Sequence, residues 1–70
     1  MSKQLVNSSN LYSVEYNKEN KTLEVEFNKG GVYQYSNVPE SVFNQLMAAP
    51  SKGSYLYHNI RDQYDTKKIR

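Results

Sequence analysis

The residues best suited to chemistry gather near the end of the chain. Pro50-Ser51-Lys52-Gly53-Ser54-Tyr55 has the order of a helix start, with a serine that can cap, a lysine, and a glycine where another group can approach the backbone. Free N–H groups and the positive end of the helix dipole at such a start can hold a phosphate or carboxylate. The glycine spacing of a Walker loop is absent. An ordinary capped helix after a tight interhelical turn accounts for the same residues. One turn further, Tyr55, Asn59 and Asp62 share a helical face, with His58 and Arg61 beside them. There Arg61 can serve as a planar fork for phosphate or carboxylate. A solvated polar surface of little energetic content is the other account. The candidate binding set is therefore Ser51, Lys52, Gly53, Ser54, Tyr55, His58, Asn59 and Arg61.

Catalytic constellations are not expected. His58 is the one histidine and there is no cysteine, so neither a thiolate metal site nor a histidine cluster is available. A general base needs a nucleophile beside it, and no Gly-x-Ser-x-Gly elbow is present. Glu15, Glu24 and Glu26 lie on strand-like segments, where they can pair with lysines across strands. A glycosidase carboxylate pair would need a cleft that a chain of 70 residues hardly provides. The expectation is a non-catalytic binding protein with no metal and no cofactor.

Charge is distributed unevenly. Residues 1–50 hold four lysines against five glutamates, a net of −1, whereas residues 51–70 hold five cations against Asp62 and Asp65, a net of +3. A basic final segment, ending Thr66-Lys67-Lys68-Ile69-Arg70, suits phosphate contact and salt-sensitive binding. A soluble tail explains it as well. No run approaches the roughly 20 apolar residues of a membrane helix, and no apolar stretch follows Met1-Ser2-Lys3-Gln4-Leu5. A cytoplasmic location and no membrane partner are expected.

The elements that must position these residues can be read from periodicity. Tyr12-Ser13-Val14-Glu15-Tyr16 and Thr22-Leu23-Glu24-Val25-Glu26-Phe27 alternate apolar and polar, the period of a half-buried antiparallel strand. Val32-Tyr33-Gln34-Tyr35-Ser36 is rich in strand formers. Asn28-Lys29-Gly30-Gly31 supplies glycines for a hairpin turn, and pairing Phe27 with Tyr33 and Val25 with Tyr35 would turn both tyrosines to the Leu23 face. A slip of one residue would send them outward. Asn37-Val38-Pro39-Glu40 resembles a capping box, followed by a helical stripe at Val42, Phe43, Leu46 and Met47. That helix stops before Pro50. Ser51 caps a second helix, with Leu56 and Ile60 as its apolar stripe. The reading is βββαα, an α+β fold: a three-stranded antiparallel meander followed by two short helices packed on one face. Residues 1–8 form a polar arm with a turn cluster at Asn7-Ser8-Ser9-Asn10, 9–64 the domain, and 65–70 a short basic tail.

Seven tyrosines and no tryptophan stand among the 70 residues. Tyr33 and Tyr35 are either a stacking platform for bases or part of the core. The register argument assigns them, with Tyr12 and Tyr16, to the framework. Tyr55, Tyr57 and Tyr64 are left to meet a partner.

Taken together, Ser8-Ser9-Asn10, Thr22–Phe27, Gly31–Tyr35, Val38–Val42, Pro50–Tyr55 and Asn59-Ile60-Arg61-Asp62 resemble the KTSC domain family. The likeness runs from about Val6 to Tyr64, and Tyr33-Gln34-Tyr35 matches the family's Tyr-x-Tyr feature. The family is named from a module at the C-terminus of some lysyl-tRNA synthetases and occurs as free-standing small proteins in bacteria and phages. The resemblance implies contact with nucleic acid, and no catalytic residue follows from it. The expected function is a small binding module that meets RNA, DNA, a nucleotide or another phosphate-bearing ligand through its second helix and tail. The alternative is a protein-interaction module, pairing with another protein or forming a homodimer.

Overall fold

The computed structural model describes residues 11–70, and residues 2–5 as backbone. The turn cluster expected at Asn7–Asn10 lies outside the described residues. The architecture is α+β: β1 (Ser2–Leu5), β2 (Leu11–Asn17), β3 (Thr22–Phe27), β4 (Gly31–Tyr35), α1 (Glu40–Ala48), α2 (Lys52–Asn59) and β5 (Thr66–Lys68). The strands form one antiparallel sheet in the order β1-β2-β3-β4-β5.

The meander and the two helices match the periodicity, but the sheet is wider than three strands. Ser2–Leu5, in the expected polar arm, pairs with β2. Thr66–Lys68, in the expected tail, pairs with β4. Edge strands are commonly polar or lysine-bearing, which discourages pairing with other chains, and such strands carry no apolar alternation to betray them. Residues 66–68 of β5 are all exposed, so backbone hydrogen bonds rather than burial hold it. Just beyond it, Ile69 N donates to Val32 O at 2.8 Å and Val32 N to Arg70 O at 3.0 Å.

One face of the sheet carries the core. Val14 faces Val25, Tyr16 faces Leu23, and Leu23 in turn faces Tyr35. With Leu11, Val38, Leu46, Leu56 and Ile60 they form one buried cluster. Tyr16 fixes α1 to this face. Its ring stacks on Phe43 at 4.9 Å between centroids, and its hydroxyl donates to Val38 O at 2.6 Å.

Three local expectations are corrected. The β3–β4 hairpin keeps the predicted facing, since Tyr33 and Tyr35 lie on the Leu23 and Val25 side, but its pairing is two residues tighter: Val25 faces Tyr33 and Phe27 faces Gly31. The chain reverses within Asn28-Lys29-Gly30 because Gly31 takes φ +88°, a conformation that only glycine adopts readily. Tyr12 leaves the framework. A bulge between Leu11 and Ser13 makes it the unmatched residue of β2, and it is 48% exposed. Asn37 forms no capping box. It takes φ +60° in the bend before α1, where the N-cap is Pro39 with no side-chain cap bond. Asparagine tolerates the left-handed region better than most residues, and here it spends its turn chemistry on the bend.

Candidate functional site

Helix α2 is placed by its apolar stripe. Leu56 and Ile60 are buried in the core, and Ser51 caps the start by accepting from Ser54 N at 3.3 Å. The two flanks of the helix then have different fates. On one flank, Tyr55 Oη donates to Gln45 Oε1 of α1 at 2.7 Å, Asn59 Nδ2 donates to Tyr55 O at 3.2 Å, and Lys52 Nζ donates to Ala49 O at 3.4 Å. These three candidate residues are engaged in joining or closing the helices.

The other flank borders an open cleft of about 1040 Å³ between α2 and the β3–β4 hairpin. Ser51, Gly53, Ser54, His58 and Arg61 line it, so five of the eight candidate binding residues come together there. Tyr33 and Tyr35 line it too, from the sheet. Tyr33 is half-buried and meets Phe27 edge-on at 5.5 Å. The wall opposite α2 is the hairpin tip, Asn28-Lys29-Gly30. The tip, together with Thr66, was missed by reasoning from spacing along one helix, and Asp62, which spacing put on the face of Tyr55 and Asn59, lines the cleft instead. Only the hairpin register, set at Gly31, brings the tip across.

The lip of the cleft is aromatic and cationic. Tyr57 is 58% exposed. Arg61 Cζ lies 4.8 Å from the centre of its ring, and the His58 ring meets it edge-on at 5.3 Å. The Arg61 contact follows from helical spacing, because residue i+4 covers residue i, whereas His58 is the next residue along the chain. The tail's lysines diverge. By register, Lys68 stands beside Tyr33 on the helix-covered face and Lys67 beside Gln34 on the open face. Lys52 sits on the flank away from the cleft, so the cations do not form the single stripe that sequence order suggests.

Tyr35 closes the floor. Its side chain is only 3% exposed and lies in the core cluster. Burial pushes its hydroxyl above the ordinary tyrosine value of 10.0; Tyr33 and Asp62 add to the rise and Arg61 opposes it. Among the described residues, no group of three or more His, Asp or Glu side chains is placed to hold a metal ion. None of the helices described is long and apolar enough to cross a membrane.

A small antiparallel sheet with two helices on one face, and a cleft where the second helix overhangs a hairpin, defines a compact α+β module. Comparison with known proteins gives the family: the KTSC domain model matches residues 7–64, and the chain belongs to that family. The crystal structure of a KTSC domain protein from Yersinia pestis superposes with a TM-score of 0.96 at 36% identity, covering 99% of this chain and 97% of that one. A small protein of Stutzerimonas stutzeri is 36% identical over 64 residues, 91% of this chain and 90% of its own. A lysine–tRNA ligase of Nostoc sp. is 37% identical over 54 residues, 77% of this chain. The chain spans about a tenth of the length of that ligase.

Proposed function

We propose that this KTSC domain is a non-catalytic binding module that holds single-stranded nucleic acid in the cleft between α2 and the β3–β4 hairpin. The observation that carries the proposal is the stack at the lip, where Tyr57, exposed, lies beneath Arg61 and beside His58 at the mouth of a cleft walled by further tyrosines. Single strands are gripped by this pairing of rings for bases with cations for the backbone, each stacked base being worth about 1–3 kcal/mol. The N-terminus of α2 opens into the same cleft through Ser51, Gly53 and Ser54; the Ser54 N–H is taken by the Ser51 cap, which leaves the Gly53 N–H suited to a phosphate. The occurrence of a similar segment within lysine–tRNA ligases, enzymes whose name places them with a nucleic acid, supports the same direction. Chemistry on the ligand is not proposed. His58 packs against the Tyr57 ring, and among the described residues no carboxylate or hydroxyl is hydrogen-bonded to it.

The test is titration of labelled single-stranded RNA and DNA oligomers by fluorescence anisotropy at low salt, with a duplex of the same sequence as reference. Single strands should bind, more weakly as salt rises, and Tyr57→Ala should cost about tenfold in affinity. Failure of every oligomer to bind would reject the proposal. A second reading, a protein-binding or self-associating module, draws on Tyr12, Tyr57 and Ile69, large apolar side chains that remain exposed. A mass above the monomer at high micromolar concentration would favour it, and a strictly monomeric mass removes self-association.

A further inference from the structure

Two tyrosines are buried in the core, and their hydroxyls are treated differently. Tyr16 is 8% exposed and its hydroxyl donates to Val38 O at 2.6 Å. Tyr35 is 3% exposed, yet its hydroxyl has no hydrogen-bond partner among the described residues. Among the described residues no fully buried side-chain oxygen lacks a partner, so the Tyr35 hydroxyl, though its ring is buried, reaches solvent. Tyr35 lines the cleft, so the hydroxyl is directed to whatever the cleft holds. Asp62 and Arg61 line the same cleft, and the charges of both act on the Tyr35 hydroxyl. The cleft thus presents a hydroxyl donor on the buried Tyr35 and a carboxylate acceptor on the exposed Asp62, whose charge acts on that hydroxyl. Asp62 makes this end of the cleft a poor place for a phosphate, which is better placed near the start of α2 and Lys29. A neutral group that both donates and accepts is what such a floor can satisfy.

We propose that Tyr35 at the floor and the exposed Asp62 together read a ribose 2′-hydroxyl, so that the cleft prefers RNA to DNA. This rests on the single-strand reading given above. The sugar hydroxyl would accept from Tyr35 Oη and donate to the Asp62 carboxylate. Deoxyribose would leave both without a ligand partner. The 2′-hydroxyl, donor and acceptor at once, is the group by which proteins tell RNA from DNA at a given position. A tyrosine hydroxyl is protonated through the neutral range, and burial raises Tyr35 further above the ordinary value of 10.0, so it remains a donor there.

The experiment compares single-stranded RNA and DNA of identical sequence against the wild-type chain, Tyr35→Phe and Asp62→Asn. The wild type should bind RNA about tenfold more tightly than DNA, the scale of one or two hydrogen bonds made to the ligand. Tyr35→Phe and Asp62→Asn should each move that ratio towards one. The phenylalanine keeps the ring and gives up no described hydrogen bond, so an unchanged melting temperature separates lost recognition from lost fold. Equal affinity of the wild type for RNA and DNA would overturn the inference and leave single-strand binding standing. A preference that survives both substitutions would overturn it equally. Binding of neither strand would overturn the inference together with the reading beneath it.

Discussion

Replacing Gly31 with alanine tests how the C-terminal strand is locked to the hairpin. Gly31 has φ +88°, and a Cβ there would stand 2.2 Å from Arg70 O, with Arg70 C and Lys68 Cε each at 3.2 Å. The lysine end can swing away, but the backbone carbonyl cannot without giving up its bond. Two costs follow. The left-handed conformation costs an alanine about 1–2 kcal/mol. Displacing Arg70 releases Val32 N→Arg70 O, at 3.0 Å, and loosens Ile69 N→Val32 O, at 2.8 Å, for about 0.5–1.5 kcal/mol each. The expected loss for Gly31→Ala is therefore about 2–5 kcal/mol, a large part of the roughly 3.5–10 kcal/mol that a domain of this length holds. Deleting Arg70 removes the obstacle, so in that background the substitution should cost only the conformational part, about 1–2 kcal/mol. Urea denaturation of the four chains closes the cycle, with the midpoint giving stability provided the slope is constant. An equal cost for Gly31→Ala with and without Arg70 would refute the close-approach argument.

Further predictions follow from the core and its caps. Tyr16→Phe keeps the stack on Phe43 but orphans Val38 O, and should destabilise by about 1–3 kcal/mol in urea denaturation. A loss below the error of the measurement would show that water replaces the hydroxyl. Burial, and the nearby Glu40 charge, raise Tyr16 above the ordinary value of 10.0, and burial first of all raises Tyr35 as well. A raised folded value means the neutral hydroxyl is favoured by folding. The stability it adds is complete below pH 10 and is lost as pH rises through the folded value. Following tyrosinate absorbance and helical circular dichroism together should show these two tyrosines ionising as the fold is lost, and ionisation well ahead of unfolding would contradict their burial. Ser51→Ala removes the side chain that accepts from Ser54 N, and should cost about 1 kcal/mol in thermal melts.

What was legible in the sequence was whatever depends on side-chain period. Strands β2 to β4 and both helices announce themselves because Val14, Leu23, Val25, Leu46, Leu56 and Ile60 must be hidden together. Strands β1 and β5 do not, since polar edges are held by main-chain bonds that every sequence can make. The facing of Tyr33 and Tyr35 could be read because it depends only on parity. The pairing partner could not, because it depends on where Gly31 turns the chain. For the cleft, the helical face of α2 was legible only up to a choice of flank. Tyr55 and Asn59 looked as available as Ser54 and His58 until α1 was seen to occupy their side through Gln45. The far wall was not legible at all, because Lys29 and Gly30 carry turn signals and nothing that points to a site across from them.

The cleft is a consequence of a thin cover. Nine residues of α1 and eight of α2 must screen one face of a five-stranded sheet. They cover Val14, Tyr16, Leu23 and Val25 completely enough to bury them, and the cover runs out towards the hairpin end, where Phe27 and Tyr33 remain half-buried. An aliphatic surface left there would be a weakness, because exposed apolar patches invite association. This chain places tyrosines at the margin instead. Each can pack its ring against the core and turn its hydroxyl to the opening, as Tyr35 does at the floor. The abundance of tyrosine and the cation-bearing lip are thus one arrangement. A domain too small to close its sheet leaves a gap, and the residues that make the gap tolerable in water are also those that the proposed binding of a single strand would use. Filling the gap should then raise stability and abolish binding together. Gly53→Leu, at the cleft side of α2, supplies better helix propensity by about 1 kcal/mol and a side chain for the opening. A gain in melting temperature with loss of oligomer binding is the expected pair of results. Loss of binding without the gain, or the gain without the loss, would separate the cleft from the economy of the fold.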